Sequence, residues 1–183
     1  MKTKPLCYTA LFAALTAVCS QIAIPTPWQV PISFSTFAVF LSGALLGWKW
    51  GTAAQLVYLG LGAVGVPVFS GLRGGLQVLA GPTGGYLAGY LVSVLVIGLL
   101  TGRVRSKKGL AAAMTAGLAA CYALGTVWFM LLNSTPLGAA LGMCVLPYLP
   151  GDTIKIAAVT LLVWRLPWRG LSALKRPQIS GEL

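Results

Sequence analysis

Long apolar runs separated by short basic clusters constrain this chain more than any other feature of its sequence. A helix needs about 17–25 predominantly apolar residues to cross a membrane. Only 8% of the 183 residues are charged, whereas a soluble domain carries about 25%, so the chain cannot cover a water-facing surface. The sequence predicts an all-α membrane protein, with one domain at 1–166 and a basic tail at 167–183. Six spans of this or slightly shorter length are predicted, at 6–24, 34–48, 51–69, 83–100, 110–132 and 150–166.

The distribution of lysine and arginine predicts which side of the membrane each segment faces. If the N-terminus lies inside, eleven basic residues fall on inner segments, Arg73 alone falls on an outer segment, and Lys155 falls within the sixth span. Cytoplasmic loops carry such an excess, so both termini are predicted to be cytoplasmic. The net charge of +11 would also suit nucleic acid. However, these residues lie in clusters between apolar runs, and a nucleic-acid footprint needs one water-facing basic surface.

Two outer segments are predicted to be irregular although they are apolar. Residues 24–31 contain three prolines, and residues 65–85 are rich in glycine. Proline removes a backbone donor and disfavours helix at the residue before it. Irregular backbone at membrane depth is tolerated only where protein buries it or where it lines a cavity. A covered pocket at the outer face is one interpretation, and two glycine-rich turns are the other.

Asp152 and Lys155 are the strongest candidates for a functional site. Asp152 is the only acid in the predicted membrane domain, since the other, Glu182, lies in the tail. Counted from Arg165 at about 1.5 Å per residue, Lys155 lies about 15 Å and Asp152 about 20 Å from the inner interface. Their spacing of three residues puts them on one helix face. Charges at such depth are functional by default, although a structural ion pair and a helix cap at Asp152 are alternatives.

The first helix carries small residues at a spacing that lets another helix approach closely. Four alanines share this pattern, at Ala10, Ala13, Ala14 and Ala17. Such small-xxx-small faces mediate helix association within membranes. The partner is either another protein or a neighbouring helix of the same chain.

Several chemistries have no residues to support them in this sequence. The chain has no histidine, which is the commonest general base and metal ligand. It also has no P-loop, no HExxH motif and no nucleophile elbow, and its four cysteines include no CxxC pair. We therefore expect no catalytic residue, no metal and no cofactor. The pattern indicates a membrane binder that depends on another protein for energy.

Four segments together resemble the BioY family, the biotin-specific substrate-binding subunits (S components) of energy-coupling factor (ECF) transporters. They are residues 66–71, the Gly74-Gly75 pair, residues 81–86 and residues 150–155. The resemblance covers roughly residues 5–166. It implies a six-transmembrane-helix S-component bundle that binds biotin near the outer face, beneath the first and third loops. It also implies a multi-pass protein of the bacterial cytoplasmic membrane, with a transmembrane coupling subunit and two ATPase subunits as partners.

The resemblance also implies a set of biotin-binding residues. Asp152 and Lys155 match the Asp-x-x-Lys of the family's pocket, and Tyr86 lies at a matching position. Arg73 stands where other members can have asparagine, and Ser35 where many have glutamine. Either cation can serve the ureido oxygen or the carboxylate of biotin. Ligand pockets are mostly aromatic and aliphatic, so the apolar ring is expected to lie against Trp28, Phe69 and Tyr148.

On the first helix, the resemblance implies that the alanines form the surface that S components present to the transmembrane coupling subunit. The alternative function is an autonomous secondary transporter or channel for a small organic anion. That alternative needs no coupling partner, so it predicts transport by this chain alone.

Overall fold

The structure, a computed structural model, describes residues 3–27, 30–104 and 106–165. The predicted tail lies outside these residues. Each of the six predicted segments is helical over most of its length. In chain order, the elements of the described residues are α1 Thr3–Gln21, β1 Ala23–Ile24, β2 Ile32–Ser33, α2 Ser35–Ala63, α3 Leu76–Ala80, α4 Gly84–Thr101, α5 Lys107–Asn133, α6 Leu137–Cys144 and α7 Leu149–Arg165.

Helix α2 contains the second and third predicted segments, separated by a sharp break. The break lies at Gly47, whose φ of 73° and ψ of −174° are not helical. Glycine adopts positive φ without the steric cost of a Cβ atom. The second half ends at Ala63, so the prediction that this helix continues to residue 69 was wrong. Pro67 explains the earlier end, because proline disfavours helix at the preceding residue and cannot donate a backbone hydrogen bond.

Two short helices, α3 and α6, lie where the sequence predicted loops. Helix α6 follows Pro136, whose backbone is extended, and it is followed by α7 after a bend of 52°. By length and hydropathy, α4 and α5 each suit a membrane crossing, and the bent pair α6–α7 would supply a third in the described chain. Apolar residues fill both loops and helices in this protein, so composition alone did not separate them.

The strands β1 and β2 close the first outer loop at its base. They are antiparallel, and Ala23 faces Ser33 while Ile24 faces Ile32. The three prolines of the first outer loop lie in the segment 25–31 between the two strands. This short ladder therefore fixes Ser33 and the start of α2 beside the end of α1.

Glycines let α4 approach its two neighbours, α2 and α5, very closely. A Cβ atom at Gly98 would lie 2.1 Å from the backbone nitrogen of Trp48 in α2. On the α5 side, a Cβ at Gly85 would lie 2.2 Å from Cβ of Trp128, and one at Gly89 would lie 3.0 Å from the carbonyl oxygen of Cys121. Contacts this close exclude any larger residue unless a backbone moves.

We expect Gly98→Ala to lower the melting temperature of the detergent-solubilised protein by about 2–12 °C. Overpacking costs about 1–3 kcal/mol, and in a chain of this size 1 kcal/mol corresponds to about 2–4 °C. Gly60→Ala is the matched control, because nothing lies within 4 Å of a Cβ built at Gly60 and alanine favours helix over glycine by about 1 kcal/mol. Equal melting temperatures for the two variants would contradict the close α2–α4 contact.

The two ends of the bundle differ in charge. The Nζ atom of Lys107 at the start of α5 lies 5.5 Å from the ring centroid of Trp164 near the end of α7, and Gly98 near the end of α4 contacts the break in α2. We call this the basic end, defined by Lys49, Arg103, Lys107 and Arg165. The opposite end, the loop end, holds residues 22–27, 30–34, 64–83 and 134–148. Arg73 lies at the loop end, on the opposite side of the bundle from these four basic residues.

Candidate functional site

Asp152 and Lys155 form an ion pair at the loop end of the bundle. Both lie in the first two turns of α7, and Asp152 Oδ1 is 2.8 Å from Lys155 Nζ. Asp152 is only 2% exposed and Lys155 only 8%. Separating such a buried pair would leave a charge without a partner, which is strongly destabilising. The spacing of three residues puts both side chains on one helix face, as the sequence predicted, and the two charges pair there.

Residues from the start of α2 and from α5 complete the surroundings of this pair. Thr36 Oγ1 donates to Asp152 Oδ1 at 2.9 Å, and the Tyr122 hydroxyl donates to Asp152 Oδ2. Lys155 Nζ donates to the Ser33 carbonyl oxygen at 2.7 Å and to Thr36 Oγ1 at 2.9 Å. With Asp152 Oδ1, the Lys155 ammonium therefore has three acceptors, one for each of its three N–H donors.

Four elements therefore meet at one polar cluster, in which Asp152 and Lys155 are buried and the other members half-buried. We call it the charged cluster: Ser33, Thr36, Tyr122, Asp152 and Lys155. Its carboxylate can accept N–H donors, and its ammonium can donate to a carbonyl or a carboxylate oxygen. Charge-assisted hydrogen bonds of this kind are roughly twice as strong as neutral ones. The arrangement suits a small polar ligand that offers donors and an acceptor side by side. Hydrogen bonds to such a ligand would replace some of the hydrogen bonds within the charged cluster.

Ser35 lies next to this cluster but turns toward α4. Its Oγ atom is 2.6 Å from the Tyr90 hydroxyl and 2.5 Å from Ser33 Oγ. Ser35 is 1% exposed and Tyr90 8%. The structure thus brings Ser35 near the Asp152–Lys155 pair through Ser33, without direct contact between Ser35 and either charge.

Three of the four predicted aromatic residues pack in a single apolar cluster beside the charged cluster. Phe69 is 2% exposed and meets Tyr58 edge-on, with 5.5 Å between ring centroids. The Tyr148 hydroxyl donates to the carbonyl of Val30 in the first loop. Tyr86 OH is 3.2 Å from Thr126 Oγ1. Among others, the cluster contains Val30, Tyr58, Val68, Phe69, Tyr86, Tyr90, Phe129 and Tyr148, whereas Trp28 lies outside the described residues.

Arg73 and Lys155 differ in their surroundings. Arg73 is exposed and lies in the loop between α2 and α3, where its backbone pairs with that of Phe69. Lys155 is buried in the charged cluster, where its Nζ atom also lies 5.9 Å from the centroid of the Phe34 ring. Of the two cations predicted to contact the ligand, Lys155 is therefore buried and Arg73 is exposed on the loop.

Thr36, Tyr90 and Tyr122 were not among the residues predicted from the sequence. Each is one of several hydroxyl-bearing residues on a largely apolar helix, so no local pattern singles it out. Which of them turns toward Asp152 depends on how α2, α4 and α5 pack against α7. That information is not contained in any local pattern.

The four alanines of α1 do not share one surface. Ala10 and Ala14 are exposed, whereas Ala13 is 3% exposed and lies in the apolar cluster, with Ala17 packed against it. Ala10 and Ala14 therefore present a small-residue face outward, and Ala13 and Ala17 present one to the core. We call Ala10 and Ala14 the outer alanine face.

The chain is similar to known proteins over most of its length. A sequence model of the BioY family matches residues 1–171. A biotin transporter BioY of Thermotoga maritima is 40% identical over 156 residues, which are 85% of this chain and 91% of that protein. A probable biotin transporter BioY of Pyrococcus horikoshii is 37% identical over 166 residues, covering 91% of this chain and 98% of that protein.

A solved structure is similar over nearly the whole chain. It is the S-component for biotin from an ECF-type ABC transporter, and it is 28% identical to this chain. The match has a TM-score of 0.87 and covers 96% of this chain and 97% of the other.

Proposed function

This chain belongs to the BioY family, and from that premise we propose that it is the biotin-binding S component of an ECF transporter and mediates biotin uptake. The observation that carries the proposal is the buried Asp152–Lys155 pair at the loop end. A buried carboxylate and a buried ammonium at one site can form strong, directional hydrogen bonds to a polar ligand. Relatives named as biotin transporters, at 40% and 37% identity, support biotin as that ligand.

The proposed contacts follow from matching biotin to the surroundings of each side chain. The ureido ring offers N–H donors and a carbonyl, so we assign its N–H groups to Asp152 and its oxygen to Lys155. The thioether ring is apolar and is assigned to the apolar cluster, with Trp28 proposed as a further contact. The carboxylate tail is assigned to Arg73, because an exposed guanidinium on the rim suits a solvated anion better than a buried one. Ser35 and Tyr90 would shape the inner side of the pocket.

Energy for uptake would come from other subunits. The chain has no P-loop, so we propose that a transmembrane coupling subunit and two ATPase subunits supply ATP hydrolysis. The outer alanine face on α1 is the proposed docking surface, because small residues let a partner helix approach closely within a membrane. In this assignment the chain binds and releases biotin without converting it, and it needs no cofactor.

We further propose six spans, formed by α1, the two halves of α2, α4, α5 and α7, with both termini in the cytoplasm of a bacterial cell. The basic residues at one end support this orientation. Single cysteines at Thr3 and Ser180, in a background without the natural cysteines, are expected to react with a membrane-impermeant maleimide only after the cells are opened. Labelling of either position in intact cells would overturn the topology.

Native mass spectrometry of the purified protein tests the proposed function. We expect a fraction of the protein to carry biotin from the cells that produced it, and the remainder to bind added biotin. Lipoate, which also has a sulfur-containing ring and a carboxylate tail but no ureido group, serves as the control ligand and is expected not to bind. A folded protein that binds neither endogenous nor added biotin would contradict the proposal.

A further inference from the structure

The last turn of α1 is tied by side-chain hydrogen bonds to the loop between α2 and α3, residues 64–75, which we call the glycine-rich loop. Ser20 is fully buried and donates to the carbonyl oxygen of Val68. Gln21 Nε2 lies 3.1 Å from the carbonyl oxygen of Val68 and 3.2 Å from that of Phe69. Gln21 Oε1 accepts from the backbone N–H of Leu72 at 3.0 Å. One side-chain amide therefore bonds both arms of the loop.

The tip of the glycine-rich loop has a conformation that needs such support. Phe69 and Arg73 exchange two backbone hydrogen bonds of 2.9 and 3.2 Å, which closes a tight turn between them. Within the turn, Gly71 has a φ of 76° and Leu72 a φ of 55°. A residue with a Cβ atom adopts this left-handed conformation only where the surroundings hold it there. The hydrogen bond from the Leu72 N–H to Gln21 Oε1 provides this support.

The same turn carries two of the proposed biotin contacts. Phe69 packs in the apolar cluster beside the charged cluster, and the Arg73 side chain is exposed. Gln21 is part of neither cluster. Any influence of Gln21 on the ligand must therefore pass through the position of the glycine-rich loop.

We propose that Gln21, assisted by Ser20, is a positioning residue that holds the glycine-rich loop closed over bound biotin and so sets the rate at which biotin leaves. This inference rests on the proposed function. Gln21 lies seven residues beyond Ala14, or about 10 Å along the same helix. A shift of α1 against the rest of the bundle when a partner docks on the outer alanine face would therefore act directly on the Gln21 bonds. Docking and opening of the site are linked through one helix.

Gln21→Met tests the inference, because methionine has a similar length and favours helix but can replace none of these bonds. Hydrogen exchange of peptides covering residues 64–75 is measured without ligand, and the dissociation of radiolabelled biotin is measured separately. Several neutral hydrogen bonds are lost, so we expect exchange in residues 64–75 and biotin dissociation both to become about tenfold faster. Exchange in α4 and α5 should match the parent, since the effect is local.

Gln77→Met is the matched control. Gln77 is exposed in α3, and among the described residues its side chain makes one hydrogen bond, from Nε2 to the Gly74 carbonyl oxygen at 3.5 Å. Both rates of this variant should equal those of the parent. If Gln21→Met proves too unstable to purify, Ser20→Ala is the alternative. It removes the bond from Ser20 to Val68, together with the contacts of Ser20 Oγ with Gln21 Nε2 at 3.2 Å and with the Ala17 carbonyl oxygen at 2.7 Å, and it is expected to accelerate both rates about threefold.

Two results would overturn the inference. Unchanged exchange in residues 64–75 would show that Gln21 does not hold the loop, and faster exchange with unchanged dissociation would show that the loop does not retain the ligand. Both are distinct from failure of the proposed function, in which the parent protein itself binds no biotin. In that case the exchange result still decides whether Gln21 fixes the loop, and the proposed effect on biotin is contradicted.

Discussion

The Asp152→Asn variant is expected to bind biotin about ten- to a hundredfold more weakly than the parent protein. A hydrogen bond to a charged group is worth about 1.5–3 kcal/mol, which corresponds to that range of affinity. Asparagine keeps the size of the side chain but replaces a carboxylate oxygen with a donor. It also leaves Lys155 without its counter-charge in a buried site, and this loss of pairing is itself destabilising. A fall in binding alone would therefore not separate recognition from stability.

The double variant Asp152→Asn with Lys155→Met separates the two effects, because it removes both charges together. If the residues are only a structural pair, the double variant should regain both the melting temperature and the affinity of the parent. If they contact biotin, it should regain stability alone. Calorimetric titration with biotin beside a thermal melt in detergent gives both quantities. Thr153→Ala, an exposed change in the same helical turn, is the control and should behave like the parent.

The second large effect is expected at the outer alanine face. Ala14→Leu should abolish biotin uptake by cells that contain the coupling subunits, while biotin binding by the purified variant stays within about twofold of the parent. A leucine at Ala14 keeps another helix from approaching closely. Because Ala14 is exposed, the change leaves the core of this chain intact. Uptake of radiolabelled biotin and calorimetric binding are compared on the same variant.

Ala158→Leu is the matched control for this prediction, since Ala158 is also exposed but lies on α7. We expect this variant to transport normally. Equal loss of binding and uptake in Ala14→Leu would mean that the alanine face packs within the chain. Transport by the chain alone, without any coupling subunit, would favour the autonomous secondary transporter instead.

The positions of the long helices could be predicted because apolar length is a local property of the sequence. The end of α1 at Gln21 and the ends of α4 and α5 at Thr101 and Asn133 lie within three residues of the predicted ends. The third segment was predicted too long because its apolar run continues past Ala63 into the loop, and only Pro67 marks the change. Helix α6 was missed since eight apolar residues fit a buried loop equally well.

The candidate site was predictable only in part, for the same reason. Asp152 and Lys155 are three residues apart, so helix geometry alone brings them together. Thr36 and Tyr122 are distant in sequence from Asp152, and their contacts with it arise from the packing of three helices. Ala13 and Ala14 are adjacent in the sequence, yet one is buried and the other exposed. A spacing pattern identifies candidate faces of a helix, whereas tertiary packing decides which face is free.

An experimental structure of the protein bound to biotin tests the central claim most directly. We expect the ureido ring to lie within hydrogen-bond distance of Asp152 and Lys155, the thioether ring to contact Phe69, and the carboxylate to point toward Arg73. We also expect the Gln21 bonds to the glycine-rich loop to be intact in this closed state. Biotin bound elsewhere, with the Asp152–Lys155 pair still making all its present internal hydrogen bonds, would contradict the account.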